Sequence, residues 1–159
     1  MFTKRRLVYP FMFSLFFAQA LSAEIEQTES AIEGVWIESH KQKMAVRIEQ
    51  CDQEFCGYIY WLKNPNDEKG LPKLDSQNPD SSLQNRPQCG LKILSGFTAK
   101  DKDSWSRGKV YNPKDGNTFN GTIKLTKDGD LKVRGYIGIS LFGKTLNWQR
   151  LDQALEPCH

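Results

Sequence analysis

Histidine is scarce in this chain, and its scarcity narrows the chemistry that we expect of the protein. The 159 residues contain two histidines, His40 and His159, so a Ser-His-Asp or Cys-His catalytic group would have to use one of them. Neither C-x-x-C nor H-x-x-x-H spacing occurs, and the acidic residues show no EF-hand spacing. We therefore expect no enzymatic activity, no metal and no cofactor.

Long apolar runs are also few. The most extended one, at 7–17, follows the basic cluster KRR at 4–6 and precedes the small-residue segment AQALSA at 18–23. It falls short of the roughly 20 residues that a membrane-spanning helix needs, and this order of segments is typical of a secretory signal peptide. The sequence predicts that residues 1–23 are removed and that the mature chain has no membrane span. The expected cleavage points are after Ala20, Ser22 or Ala23.

An excess of positive charge is absent once that segment is set aside. Residues 1–23 hold three of the 22 Lys and Arg residues and none of the 19 Asp and Glu residues, so the rest of the chain is balanced at 19 against 19. A basic patch of the kind that binds nucleic acid is therefore not expected. Export to the periplasm of a Gram-negative bacterium is the expected destination, with the extracellular space as the alternative.

Short runs rich in β-branched and aromatic residues follow a polar lead-in at 24–33, and no helical period is visible. Compact turn signals separate them, such as NPKDGN at 112–117 and KDGD at 127–130. The pattern predicts one all-β domain at 34–159. Its eight antiparallel strands are expected at 34–40, 43–51, 56–63, 90–98, 104–112, 117–126, 130–139 and 143–151.

Alternation within the strands predicts which side chains face the core. In LKVRGYIGI at 131–139 the apolar face carries Leu131, Val133, Ile137 and Ile139, whereas Lys132, Arg134 and Tyr136 fall on the other face. The segment at 64–88 breaks the rhythm, because it contains four prolines and almost nothing that would form a strand. Its carboxylates, including Asp67, Asp75 and Asp80, are expected to be solvated or to cap turns.

The four cysteines all lie in the expected domain, and an exported protein meets an oxidising environment in which thiols pair. Cys51 and Cys56 flank a short turn between two expected strands, where neighbouring Cβ atoms come within disulfide reach. A disulfide is favoured there over a zinc site or a redox pair. Of the three possible connectivities, this one leaves Cys89 to pair with Cys158.

Several motifs taken in order resemble the bacterial exported domain-of-unknown-function 2147 family. They include GVW at 34–36, VRIEQCDQEFCGYIYWL at 46–62, WSRGKVYNPKDGNTF at 105–119 and LNWQR at 146–150. A broader similarity is to the calycin superfamily, in which a Gly-x-Trp begins the first strand and a basic residue lies on the last strand. Gly34, Trp36 and Arg150 match that pattern, which implies a lipocalin-like up-and-down barrel closed by a contact between Trp36 and Arg150. A β-sandwich is the alternative.

Aromatic side chains occur on nearly every expected strand, and a barrel of eight strands is either filled or holds one small ligand. The leading hypothesis is therefore a non-catalytic exported protein that binds a small apolar or amphipathic molecule, with the long loop as a lid. The alternative is a cell-envelope module that binds another protein. The candidate pocket or lid residues are Tyr58, Tyr60, Trp105, Tyr111, Tyr136, Trp148, Asp75, Asn78 and Arg86.

Overall fold

Eight antiparallel strands form a closed barrel in the computed structural model, which describes residues 30–153 and 155–158. The expected signal peptide at 1–23, most of the lead-in at 24–33, and His159 lie outside the described residues. Two short 3₁₀ turns occur at Ser81–Leu83 and Ser140–Phe142. The strands are β1 (Gly34–Glu38), β2 (Met44–Cys51), β3 (Glu54–Leu62), β4 (Lys92–Asp101), β5 (Ser104–Asn112), β6 (Asn117–Leu125), β7 (Leu131–Tyr136) and β8 (Gly143–Arg150).

Each strand pairs with its neighbour in the chain, and β1 also pairs with β8, so that Trp36 lies opposite Arg150 and Glu38 opposite Trp148. This last pairing removes the free edges that an open sheet would leave. The expected up-and-down barrel is confirmed, and the alternative of a sandwich is wrong. One end of the barrel, which we call the long-loop end, carries the connections β1–β2, β3–β4, β5–β6 and β7–β8.

The barrel interior is filled by large side chains. Phe97 is fully buried, and a Cβ placed on Gly121 would lie 2.6 Å from its ring, while one on Gly108 would also overlap it. These two positions can therefore only be glycine, because any side chain there would collide with the ring. The core cluster consists of Ile32, Trp36, Val46, Ile48, Ile59, Leu91, Ile93, Leu94, Phe97, Trp105, Ile123, Leu131, Val133 and Trp148.

The end of β7 differs from the expectation. Leu131 and Val133 are buried as predicted, but the strand stops at Tyr136, and Ile137 and Ile139 are exposed instead of lying in the core. The reason lies in the turn that follows. Gly138 has φ of +68°, a conformation that glycine adopts without strain, and the chain reverses there before another core position is reached.

Two disulfides fix the hairpin β2–β3 and the C-terminal tail. Cys51 bonds to Cys56 with the Cα atoms 5.9 Å apart, and Cys89 bonds to Cys158 with the Cα atoms 5.6 Å apart. These are the pairings that the spacing favoured. The second bond holds the tail against β3, where the backbone N–H of Cys158 donates to the carbonyl oxygen of Tyr60 at 3.0 Å.

Candidate functional site

The long connection between β3 and β4 is folded rather than loose. Two isolated bridges join Asn66 to Pro72 and Leu74 to Pro87. Further backbone hydrogen bonds connect its two halves: the N–H of Gln88 donates to the carbonyl of Lys73 at 2.8 Å, for example. Because its backbone groups are satisfied within the loop, the segment presents a defined surface to the barrel.

Asp75 is the centre of a polar cluster that joins this loop to the barrel. Its side chain is fully buried, and Oδ2 accepts hydrogen bonds from Nε and Nη2 of Arg86 at 3.0 and 2.8 Å and from Nδ2 of Asn78 at 2.7 Å. The hydroxyl of Tyr111, on β5, donates to Oδ1 at 2.5 Å. The expectation that Asp75 is solvated or caps a turn was therefore wrong, because four hydrogen bonds from three side chains compensate for its removal from water.

The other two carboxylates follow the expectation. Oδ1 of Asp67 accepts from the backbone N–H of Lys69 at 2.8 Å, and Oδ1 of Asp80 accepts from the N–H of Ser82 at 2.9 Å. Both are local turn contacts within the loop. The Ser82 contacts, led by its side-chain hydroxyl, hold the pKa of Asp80 below its usual value.

Burial raises the pKa of Tyr111 to about 12, and its hydrogen bond to Asp75 and the charge of that carboxylate act in the same direction. Ionising the phenol would remove the proton that it donates and would place a second negative charge beside Asp75. The contact between loop and barrel therefore depends on a neutral Tyr111.

A second contact holds the loop at the β5–β6 turn. Gly116 has φ of +71°, and a Cβ at this position would overlap the carbonyl oxygen of Gln77. The turn and the loop therefore approach each other at backbone distance. Together with the Asp75 cluster, this contact places the loop over the outer face of the barrel.

A cleft of about 310 Å³ lies between the loop and that outer face. A Cβ on Gly108 would overlap the buried ring of Phe97, so the alternation of side chains along β5 places Lys109 and Tyr111 on the outer face, where Tyr111 also packs against the edge of the core cluster. No carboxylate lies on the cleft surface, although Asp75 lies behind Arg86. The cleft is lined by Asn78, Pro79, Arg86, Lys92, Ile93, Ser95, Lys109, Tyr111 and Thr118.

The two lysines give the cleft an uncompensated positive charge. Nζ of Lys109 donates to Oδ1 of Asn120 at 2.7 Å, and Nζ of Lys92 lies 5.4 Å from the ring centroid of Tyr58. Among the described residues, neither lysine forms a salt bridge, whereas Arg86 is paired with Asp75. An anionic group in the cleft would therefore meet two cations that have no acidic partner.

The structure thus brings four of the sequence candidates together, namely Asp75, Asn78, Arg86 and Tyr111. The cleft residues Lys92, Lys109, Ser95 and Thr118 were not among the candidates. Their polar character on outward-facing strand positions was visible in the sequence, but no pattern indicated that the loop covers those positions.

Tyr58 and Tyr60 lie elsewhere, on the outer face of β3 beneath the C-terminal tail. They line a second cleft of about 290 Å³. The guanidinium carbon of Arg47 lies 4.5 Å from the ring centroid of Tyr60, whose hydroxyl donates to the carbonyl of Leu155 at 2.9 Å. These contacts hold the tail on the barrel wall.

The remaining aromatic candidates are separated from both clefts. Trp105 and Trp148 are buried in the core, where the indole N–H of each has no hydrogen-bond partner among the residues that the structure describes. Tyr136 is half-buried at the last position of β7, on the strand face opposite to that of Val133. A role in ligand binding for these residues stays a prediction.

Trp36 and Arg150 meet at the end opposite the long loop. The guanidinium carbon of Arg150 lies 4.3 Å from the indole centroid, and its two terminal nitrogens donate to the carbonyls of Glu33 and Ala31 at 2.8 and 2.7 Å. The indole N–H of Trp36 donates to the carbonyl of Ile32 at 2.8 Å. The pair therefore ties the chain before β1 across this end of the barrel.

Residues 30–153 and 155–158 contain neither a cluster of metal ligands nor a membrane-spanning helix. No group of three or more His, Cys, Asp or Glu side chains is placed to hold a metal ion. No helix in this part of the chain has the length and apolar character required to cross a bilayer.

Comparison with known proteins gives a family and a structural relative. Residues 34–150 match the family DUF2147, described as an uncharacterized protein conserved in bacteria. Among solved structures, protein HP1028 from the human pathogen Helicobacter pylori, described as belonging to the lipocalin family, is 29% identical. The alignment covers 76% of this chain and 82% of that chain with a TM-score of 0.64. No curated protein matches the sequence.

Proposed function

The chain belongs to the bacterial DUF2147 family and has a lipocalin-like barrel, and we propose that it is a non-catalytic exported protein that binds one small amphipathic molecule. The observation that carries this proposal is the cleft between the long loop and β4–β6. Its volume of about 310 Å³ falls at the lower end of the range for small-molecule sites.

The cleft is favoured over the barrel axis because the interior is occupied. Phe97 fills the space between the glycines of β5 and β6, and Leu94 lies within 2.7 Å of where a Cβ on Gly57 would be. A ligand on the axis would have to displace these side chains and would lose their packing. A ligand in the cleft would displace only water.

The chemistry of the cleft favours a molecule with an anionic head. Lys92 and Lys109 supply the positive charge, and the hydroxyls of Ser95 and Thr118 supply hydrogen bonds. Ile93 is buried beside them and gives an apolar wall for the rest of the molecule. The Asp75 cluster holds the loop in place before any ligand arrives, so little ordering is required on binding.

Two matched probes test this proposal by titration calorimetry. We expect octanoate to bind and octanol, which has the same chain without the charge, to bind at least tenfold more weakly. Changing both Lys92 and Lys109 to Gln should remove that difference, whereas Lys132→Gln, on the exposed outer face of β7, should preserve it. Equal binding of octanoate by the wild type and the double variant would contradict the proposed site.

Export is supported by the segment at 1–23 and by two disulfides, which form in oxidising compartments. The mass of the intact protein from the periplasmic fraction should correspond to a chain that begins at residue 21, 23 or 24. Recovery of the full-length mass in the cytosol would contradict it.

The alternative function, binding to another envelope protein, is favoured by one observation. Leu71, Leu74 and Leu83 are exposed on the long loop. Changing all three to Ser should abolish capture of such a partner by the tagged protein while octanoate binding persists. If the three-serine variant recovers the same partners as the wild type, the loop is not the docking surface.

A further inference from the structure

The turn between β7 and β8 exposes four large apolar side chains within six residues. The exposed fractions are 73% for Ile137, 61% for Ile139, 76% for Leu141 and 78% for Phe142. Scattered apolar residues are ordinary on a protein surface, but a contiguous exposed group usually marks a contact with another apolar phase. We call residues 137–142 the apolar tip.

The backbone of the apolar tip is held in shape from within the hairpin. Nε of Arg134 donates to the carbonyl of Ser140 at 2.7 Å, and Nη2 donates to the carbonyl of Leu141 at 3.0 Å. Nη1 donates to the hydroxyl of Thr145 on β8 at 2.9 Å. Carbonyl groups that already accept hydrogen bonds lose less free energy when they leave water. This turn can therefore enter a less polar phase at a low cost in free energy.

The hairpin that carries the apolar tip has charges of one sign. The hairpin at 131–150 contains Lys132, Arg134, Lys144 and Arg150 and no acidic residue. In the β7–β8 register Lys144 lies opposite Gly135, so Lys144 and Arg134 are both next to the tip. Along the backbone, Tyr136, opposite Gly143, lies between the apolar residues and the Cα atoms of these two cations, although the guanidinium of Arg134 reaches the carbonyls of Ser140 and Leu141.

That order of apolar side chains, then a tyrosine, then cations matches the layers of an anionic bilayer surface. Acyl chains accept apolar groups, tyrosine favours the interface, and anionic headgroups attract Lys and Arg. By contrast, the long loop at the same end carries charges of both signs. Its basic residues are Lys69, Lys73 and Arg86, and its acidic residues include Asp67, Glu68, Asp75 and Asp80. The preference for an anionic surface therefore comes from the β7–β8 hairpin.

We propose that the apolar tip docks the protein on an anionic lipid surface, with Phe142, Leu141, Ile139 and Ile137 entering the interface and Arg134 and Lys144 contacting lipid phosphates. A second copy of this chain is a poorer occupant, because two such tips would bring four cations together, Arg134 and Lys144 of each copy, with no acidic residue in either hairpin. A convex tip also suits a fluid surface better than it suits a flat protein face. The docking does not depend on the cleft ligand.

Vesicle flotation of the processed protein, with its mass checked to exclude residues 1–23, tests the proposal. We expect binding to vesicles of phosphatidylglycerol and at least tenfold weaker binding to phosphatidylcholine. Changing both Ile139 and Phe142 to Ser should lower binding to phosphatidylglycerol more than tenfold, since each loses an apolar side chain from the interface. Lys144→Gln should reduce the preference for phosphatidylglycerol about fivefold, because each basic residue near the surface adds about 1 kcal/mol.

Leu71→Ser is the matched control, because Leu71 is 60% exposed on the long loop and lies outside the apolar tip. It should bind vesicles as the wild type does, and octanoate binding should persist in every variant. No binding of the wild type to either vesicle, or equal binding by the Ile139 and Phe142 double variant, overturns the proposal. A wild-type dimer in light scattering that becomes a monomer in the double variant also overturns it in favour of a second copy.

Discussion

Replacing Asp75 by Asn tests whether the buried carboxylate holds the long loop on the barrel. The substitution preserves size and shape but removes the charge and replaces one acceptor oxygen by an N–H donor. Arg86 is 39% exposed and can turn to water, whereas Asn78 is buried and would face a second amide donor. We expect the free energy of docking the loop on the barrel to fall by about 2 to 3 kcal/mol, because charge-assisted hydrogen bonds are lost and two amide N–H donors face each other.

The loop offers its own assay, because trypsin cleaves after Lys69 and Lys73 when the loop opens, whereas the Arg86–Pro87 bond resists trypsin. If opening and closing are faster than cleavage, the cleavage rate follows the population of the open form. A loss of about 2 to 3 kcal/mol should therefore raise the cleavage rate by about 30-fold to about 160-fold.

Asp80→Asn is the control on the same loop. The side chain of Asp80 accepts hydrogen bonds from Ser82, and its backbone N–H, which the substitution keeps, donates to Oδ1 of Asn78 at 2.9 Å. Asn caps a helical turn as well as Asp does. Its cleavage rate should stay within a few-fold of the wild type. If Asp75→Asn leaves the rate unchanged, or if both variants raise it equally, the Asp75 cluster is not what fixes the loop.

Three further predictions follow from other contacts. Arg150→Ala should lower the free energy of unfolding, measured in urea, by about 2 kcal/mol, because it removes the stacking on Trp36 and two hydrogen bonds. Arg150→Lys should recover part of that free energy, and the control Gln149→Ala should change it very little. Replacing Cys89 and Cys158 together by Ser should cost about 4 kcal/mol in the same assay, because that bond spans 69 residues. Because the pKa of Tyr111 is raised to about 12, its contribution to stability is complete below pH 10 and is lost as the pH rises from 10 towards 12. Tyr111→Phe should lose less stability over this pH range than the wild type, and the same decline in both proteins would contradict the prediction.

The strands were predictable because their signals are local. β5 begins and ends where its residues indicated, and β6 differs by one residue, since turns with Asn, Pro and Gly mark their ends. Barrel closure was predictable for another reason: Trp36 and Arg150 are a recognisable pair from the first and last strands. Once they lie opposite each other, the up-and-down order of the strands follows.

The apolar tip and the polar cluster could not be predicted in the same way. Apolar and polar positions alternate from Leu131 to Ile139, so the two-residue period of a strand predicts that Ile137 and Ile139 face the core. Only the early end of β7 exposes them. Likewise, the contact between Asp75 and Tyr111 joins positions 36 residues apart, and neither neighbourhood contains a pattern that points to the other.

The expected function depended on whether the barrel interior holds a cavity. The number of aromatic residues in the sequence does not determine that. Phe97 fills the interior because Gly108 and Gly121 leave room for its ring, a complementarity among three strands that no single strand displays. An interior packed in this way leaves little space for a ligand on the axis. The exposed large apolar side chains of the described residues all lie in the β3–β4 and β7–β8 connections. Both connections extend from the long-loop end, so the proposed ligand site and the proposed lipid contact lie at one end of the barrel, opposite the end at which Trp36 and Arg150 meet.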